Sequence, residues 1–149
     1  MKIAVASDHA GLDLKEIIKE KLLKEGYDVL DCGTRTPKSV DYPVFGLAGA
    51  RSVAEGKADF ALLFCGTGLG MTIMANKVPG IRAVNSQCLY TAGLARSHND
   101  ANVLCLGGRV VGPDLAWEIV RTFLTTPFSG GRHQRRVNLI RKQDGCLGS

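Results

Sequence analysis

Residues 60–70 read FALLFCGTGLG, an apolar run that stops at a cysteine and a glycine-rich turn. The run over 60–64 is too short for a buried helix and suits a central strand. Gly66, Gly68 and Gly70 give the backbone the freedom to turn sharply into a helix, expected to run to about Asn76. A strand, a tight turn and a helix in that order form the building block of a parallel sheet.

The same unit recurs on both sides. Upstream, residues 2–7 (KIAVAS) read as a buried strand, and Leu12, Ile17, Ile18, Leu22 and Leu23 then repeat at helical spacing as far as Gly26. A second strand is expected over 27–30, turn chemistry over 32–42, and a helix from Pro43 to about Glu55, stopped by Gly56. Downstream, strands are expected over 81–84 and 103–106, with a helix over 87–97 between them. Pro113 opens another helix with Leu115, Ile119, Val120 and Phe123 facing inward. Residues 126–131 (TPFSGG) break the chain before a last, basic helix, and the tail over 143–149 is expected to fray.

Strand and helix alternate with no linker and no internal repeat, so residues 1–149 are expected to form a single domain. The expected fold is α/β: a three-layer sandwich with a five-stranded parallel sheet, helices on both faces and a C-terminal basic helix. The strand order expected for this size is 2-1-3-4-5. Ligands bind such sheets at the carboxyl ends of strands 1 and 3, where the chain leaves in opposite directions. That rule brings Asp8, His9 and Cys65 together.

Composition narrows the function. The chain is 45% hydrophobic and 22% charged, which excludes a disordered or low-complexity class. No apolar run approaches the roughly 20 residues that span a bilayer, and residues 3–6 are too short for a signal-peptide core. A cytoplasmic chain without a membrane partner is expected. The five cysteines at 32, 65, 88, 105 and 146 form no CxxC pair, and their odd number suits reduced thiols. The histidines, His9, His98 and His133, lack HxH or HxxxH spacing, so no metal is expected.

The net charge of +5 would permit an anionic partner. Arg132, Arg135, Arg136, Arg141 and Lys142 crowd one acid-free stretch. It reads either as a solvated helix face or as arginines gripping a phosphate. Nucleic acid fits less well, since one short basic run carries no recognisable binding motif. The glycine turn is no dinucleotide fingerprint: Met71 stands where a GxGxxG counted from Gly66 needs glycine, and no acid lies between Gly70 and Asp100. It is either a plain strand-to-helix turn or a nest of backbone N–H groups that steadies a negative oxygen. Cys65 is correspondingly either a small core residue or, because a helix N-terminus favours the thiolate, a base or nucleophile. The other cysteines read as lying inside apolar strands or near the tail.

The segments SDHAG (7–11), DYP (41–43), CGTGLGM (65–71), NKVPGIRA (76–83), HNDANVL (98–104), LGGRVVG (106–112) and GGRHQRRV (130–137) resemble the ribose-5-phosphate isomerase B family, which includes the galactose-6-phosphate isomerase subunits. The resemblance spans about residues 1–140. It implies a metal-free, cofactor-free aldose–ketose isomerase of the pentose phosphate pathway on a Rossmann-like fold, acting through a cis-enediol. It further implies a homodimer or homotetramer.

Carried over by position, Cys65 matches the base that moves a proton between C1 and C2. Some members use a glutamate a few residues later, but residues 71–75 contain no acid here. Gly66, Thr67, Gly68, Leu69 and Gly70 match the anion hole, with Thr67 among the catalytic groups, and His98 matches the residue that opens the sugar ring. Asp8 and Asn99 match ligands of the sugar hydroxyls, while His9, Arg109, Arg132 and Arg136 match phosphate ligands. The expected substrate is ribose 5-phosphate, with a six-carbon sugar phosphate as the nearest alternative. A non-catalytic phosphate-binding module would use the nest and the arginines but leave Cys65 and His98 idle.

Direction along the sheet adds one expectation. Asp8 and Cys65 end strands, whereas His98 ends the helix that leads into the last strand. His98 should therefore lie at the opposite edge, about 13 Å below, and can serve the same site only from a neighbouring subunit. The long segment 126–131 leaves the placement of Arg132 and Arg136 open.

Overall fold

The structure, a computed structural model, describes residues 1–146. The element order is β1 (Lys2–Ser7), α1 (Leu12–Lys24), β2 (Asp28–Asp31), α2 (Tyr42–Ala54), β3 (Phe60–Cys65), α3 (Leu69–Ala75), β4 (Ala83–Asn85), α4 (Leu89–Ser97), β5 (Val103–Gly107), α5 (Pro113–Thr125), α6 (Arg132–Arg141) and a 3-10 turn (Asp144–Cys146). Five parallel strands form one sheet in the order β2-β1-β3-β5-β4.

The three-layer α/β architecture is the expected one, but the last two strands are exchanged relative to 2-1-3-4-5. Burial explains the exchange. Every residue of β5 (VLCLG) is buried, so it can lie inside the sheet, whereas β4 (AVN) is three residues long and only Ala83 is buried. An interior strand must be apolar on both faces; a short, half-polar one belongs at an edge. Asn76 blunts that edge: its side chain donates to Ala83 O at 2.9 Å and accepts from Ala83 N at 2.8 Å.

Strand order then decides which face each helix covers. The steps β1 to β2 and β4 to β5 run one way across the sheet, and the steps β2 to β3 and β3 to β4 run the other. Right-handed crossovers put α1 and α4 on one face and α2 and α3 on the opposite one. The two cores agree. Ile3, Val5, Leu62, Phe64, Leu104 and Leu106 pack with α1, α4 and α5, while Ala4, Ala6, Leu63 and Cys105 pack with α2 and α3.

Two helix faces are rotated from expectation. On α1 the buried stripe is Leu14, Lys15, Ile18 and Leu22, and Ile17 and Leu23 are exposed. Lys15 is fully buried because its ammonium finds Asp31 Oδ1 at 2.9 Å and Thr34 O at 2.7 Å. On α5, Ile119, Val120 and Phe123 face in as expected, but Leu115 is 44% exposed. Ala116 and Trp117 take its place, since the buried stripe 116/120/123 leaves position 115 on its flank. Within the expected tail, Asp144–Cys146 form a 3-10 turn in which Asp144 accepts a hydrogen bond from Gly80 N at 3.0 Å. The rest of that expected tail, 147–149, lies outside the described residues.

Candidate active site

The carboxyl ends of β1, β3 and β5 meet through glycines. A Cβ at Gly11 would lie 2.4 Å from the Phe64 carbonyl carbon, and one at Gly107 would lie 2.7 Å from the Thr67 carbonyl carbon. Only glycine lets the loops after these strands touch backbone to backbone. Gly108 N donates to Cys65 O at 2.8 Å and Arg109 N donates to Gly66 O at 3.0 Å, which locks the loop after β5 onto the loop after β3.

This close packing gathers Asp8, His9, Cys65, the 66–70 turn and Arg109 at one edge, here called the upper edge. Asp8 is buried, and its Oδ1 accepts from Gly11 N at 3.0 Å, leaving the second carboxylate oxygen for a ligand. His9 Nδ1 accepts from Val40 N at 3.2 Å, so the neutral ring carries its proton on Nε2, the form that donates outward. Cys65 is 5% exposed, and its sulfur accepts from Gly68 N at 3.0 Å. Gly68 holds φ at +83° at the start of α3, and Leu69 N donates to Thr67 Oγ1 at 3.3 Å within the turn. The Thr67 carbonyl is held away by Gln87 Nε2 at 3.0 Å and Asn85 Nδ2 at 3.3 Å. Arg109 Nη1 would lie 3.3 Å from a Cβ at Gly66, so its guanidinium overlooks the turn.

The other cysteines divide differently from expectation. Cys105 is buried in β5, where desolvation pushes its thiol up to about 12. Cys88 is neither in an apolar strand nor near the tail: it is exposed at the start of α4, and a hydrogen bond with Thr91 lowers its thiol pKa. Cys32 is half-buried after β2.

His98, Asn99, Arg132 and Arg136 lie elsewhere. Ala61, at the start of β3, donates to Asn102 O at 3.1 Å, and Ala61 pairs with Val103 while Cys65 pairs with Gly107. The turn carrying His98 and Asn99 is therefore at the lower edge, about 13 Å of strand away from Cys65. Helix α6 is there too: His98 stacks on His133 with ring centroids 4.1 Å apart, and Ser129 N donates to Ser97 O at 3.0 Å. Arg132 and Arg136, one helical turn apart and exposed, accompany His98 rather than Cys65.

Sequence reasoning missed three of these features. His133 was visible only as one histidine among arginines; burial and the neighbouring charges of His98, Arg132 and Arg136 lower its pKa. Tyr42 packs its ring against Gly70, 2.6 Å from where a Cβ would stand, and so borders the turn. Asp100 receives three guanidiniums. Among the described residues no group of three His, Cys, Asp or Glu could hold a metal ion, and no helix is long and apolar enough to cross a membrane.

The family model of the ribose/galactose isomerases matches residues 3–140. Ribose-5-phosphate isomerase B of Escherichia coli is 48% identical over 139 residues, covering 93% of each chain. The solved ribose-5-phosphate isomerase B of Clostridium thermocellum is 51% identical, with a TM-score of 0.98 over 99% of this chain and 100% of that one. That of Mycoplasma genitalium, solved with bound ribulose-5-phosphate, is 42% identical, with a TM-score of 0.93 over 97% and 96%.

Proposed function

The chain belongs to the ribose/galactose isomerase family and is an aldose–ketose isomerase, and from that premise we propose that it interconverts ribose 5-phosphate and ribulose 5-phosphate through a cis-enediol with Cys65 as base. The observation that carries this reading is the Cys65 sulfur at 3.0 Å from Gly68 N, at the switch point between β1 and β3 and beside Asp8 and His9. The solved Mycoplasma relative with ribulose-5-phosphate bound supports the choice of substrate.

In the open-chain aldose the Cys65 thiolate takes the proton from C2. The electron pair forms the C1–C2 double bond and charge moves to the C1 oxygen, where backbone N–H groups of Gly66 to Gly70 and the Thr67 hydroxyl stabilise it. Preorganised donors of this kind are commonly the largest single term in such reactions. The O2 proton passes to the C1 oxygen, the thiol returns its proton to C1 as the C2 carbonyl forms, and the ketose results. Asp8 and Asn99 hold hydroxyls; His9, Arg109, Arg132 and Arg136 hold the phosphate, whose binding energy orients the reacting carbons.

Ring opening needs a proton removed from the anomeric hydroxyl and one delivered to the ring oxygen, work suited to an imidazole. His98 is assigned to it from a second subunit, together with Asn99, Arg132 and Arg136. A homodimer, or a homotetramer built of such dimers, is therefore part of the proposal. The apolar side chains that border the 66–70 turn support it: Leu69 and Ile73 on α3 and Val44 on α2 are each about 60% exposed. A thiol that must stay reduced suits the cytoplasm.

The family description also names galactose, which keeps a hexose 6-phosphate as the second reading. Initial rates on a panel of phosphorylated aldoses separate the two. Ribose 5-phosphate should give the highest kcat/KM, and a hexose phosphate preferred tenfold would overturn the substrate assignment.

A further inference from the structure

Asp100 is, among the described residues, the non-glycine residue with a left-handed backbone, φ +48°. It closes the turn that follows α4, with Asp100 N donating to Arg96 O at 3.1 Å and Ala101 N to Ala95 O at 2.9 Å. Glycine usually fills that position; Asp and Asn are the side chains that tolerate it best. Backbone geometry alone thus gives no reason for an acid here, whereas the carboxylate has three partners. Oδ1 accepts from Arg96 Nη1 at 2.9 Å, and Oδ2 accepts from Arg82 Nη2 at 3.0 Å and Arg141 Nη2 at 3.4 Å.

Each arginine ties the turn to a different element. Arg82 precedes β4, and its Nε also donates to Asn99 O at 3.1 Å and Asp100 O at 2.9 Å. Arg96 belongs to α4, donates to Ala101 O at 2.7 Å and lies over the Phe60 ring at 4.8 Å. Arg141 is the last residue of α6, the helix whose first turns carry Arg132, His133 and Arg136. One carboxylate therefore fixes both the turn that displays His98 and Asn99 and the far end of the helix that stacks on His98.

We propose that Asp100 is the positioning residue of the lower edge, aligning His98, Asn99 and α6 as one unit for the site they complete. The inference rests on the shared-site reading above. Asp100 itself touches no substrate and acts through the groups it holds.

Asp100→Asn is the apt variant, because asparagine keeps the left-handed turn and removes the charge that gathers the guanidiniums. The expected result is a fall in kcat/KM for ribose 5-phosphate of about tenfold or more, shared between a higher KM and a lower kcat. Imidazole NMR signals of His98 and His133 should shift as their stacking loosens. Arg141→Gln cuts only the tie to the exposed end of α6, so it should raise KM severalfold and leave kcat within twofold.

Mixed subunits separate the proposal from its premise. Refolded together, Asp100→Asn and Cys65→Ala chains should regain activity, since one site of each mixed dimer then has an intact upper edge and an intact lower edge. The control pair is His98→Asn with Cys65→Ala. Failure of the control overturns the shared site. If the control recovers, an Asp100→Asn chain that cannot be rescued, or one with wild-type kcat, KM and imidazole signals, overturns the role of Asp100.

Discussion

The two edges of the sheet are built by different physics. At the upper edge, Gly11, Gly107 and Gly108 let three loops touch backbone to backbone, and the groups presented are mainly N–H dipoles around Cys65. At the lower edge, charged side chains converge instead: Asp100 with Arg82, Arg96 and Arg141, beside the His98–His133 stack. Backbone donors cannot wander and cost no reorganisation when charge develops, so they suit the enolisation step. Long side chains reach across an interface and adapt, so they suit gripping a phosphate and opening a ring. On the proposed mechanism the subunit interface joins these two kinds of half-site.

The largest effect should come from Cys65→Ala. Removing the base is expected to lower kcat by about 10³- to 10⁴-fold while sugar-phosphate binding, measured by calorimetry, stays within severalfold. Binding lost in step with activity would make Cys65 a structural residue. Gly68→Ala should come next, at about 10²-fold or more in kcat. Its φ of +83° disfavours any side chain, and a Cβ would meet Asn85 Oδ1 at 2.8 Å. Near-normal turnover in that variant would remove the N–H nest from the mechanism.

His98→Asn probes the lower edge with a sharper distinction. Turnover of ribose 5-phosphate should fall by about 10²-fold, the range of a lost acid–base group. Exchange of the C1 proton of ribulose 5-phosphate with solvent needs enolisation but no ring chemistry, and should persist within about threefold. Equal losses in both assays would place His98 in the enolisation step.

The upper edge was the more legible of the two. The strand-turn-helix unit over 60–70 and the glycines after it announce backbone-built geometry, because glycine leaves a mark in sequence wherever chains approach closely. Cys65, Asp8 and His9 followed from the switch-point rule, and His98 at the opposite edge followed from chain direction alone. The β4/β5 exchange was not legible, because β4 and β5 both read as short apolar runs and only packing shows which is apolar on both faces. Asp100, Lys15 and His133 were equally hidden. A charge at helical spacing reads as a solvated face until tertiary partners are known, and Lys15 is fully buried among partners from three segments.

The smallest expected effect concerns that hidden network. Burial opposes the charge on Asp31, but Lys19, Lys15 and Gly33 N outweigh it and lower its pKa to about 2. A carboxyl depressed on folding contributes stability above its unfolded pKa of about 4, and that contribution disappears as pH falls from about 4 to 2. Asp31→Asn should therefore cost about 1–2 kcal/mol at pH 7 by denaturant unfolding, and the gap to wild type should close towards pH 2. A gap independent of pH would mean that packing, not charge, is what the substitution disturbs.

The most direct test of the shared site mixes two inactive proteins. Cys65→Ala and His98→Asn chains, unfolded, combined in equal amounts and refolded, pair at random, so about half the dimers are mixed. In each mixed dimer one site inherits both intact residues and the other inherits neither. The account predicts recovery of about a quarter of wild-type activity, against almost none for either variant alone. No recovery, with mixed dimers demonstrated by mass, would put Cys65 and His98 in one subunit's site and contradict it.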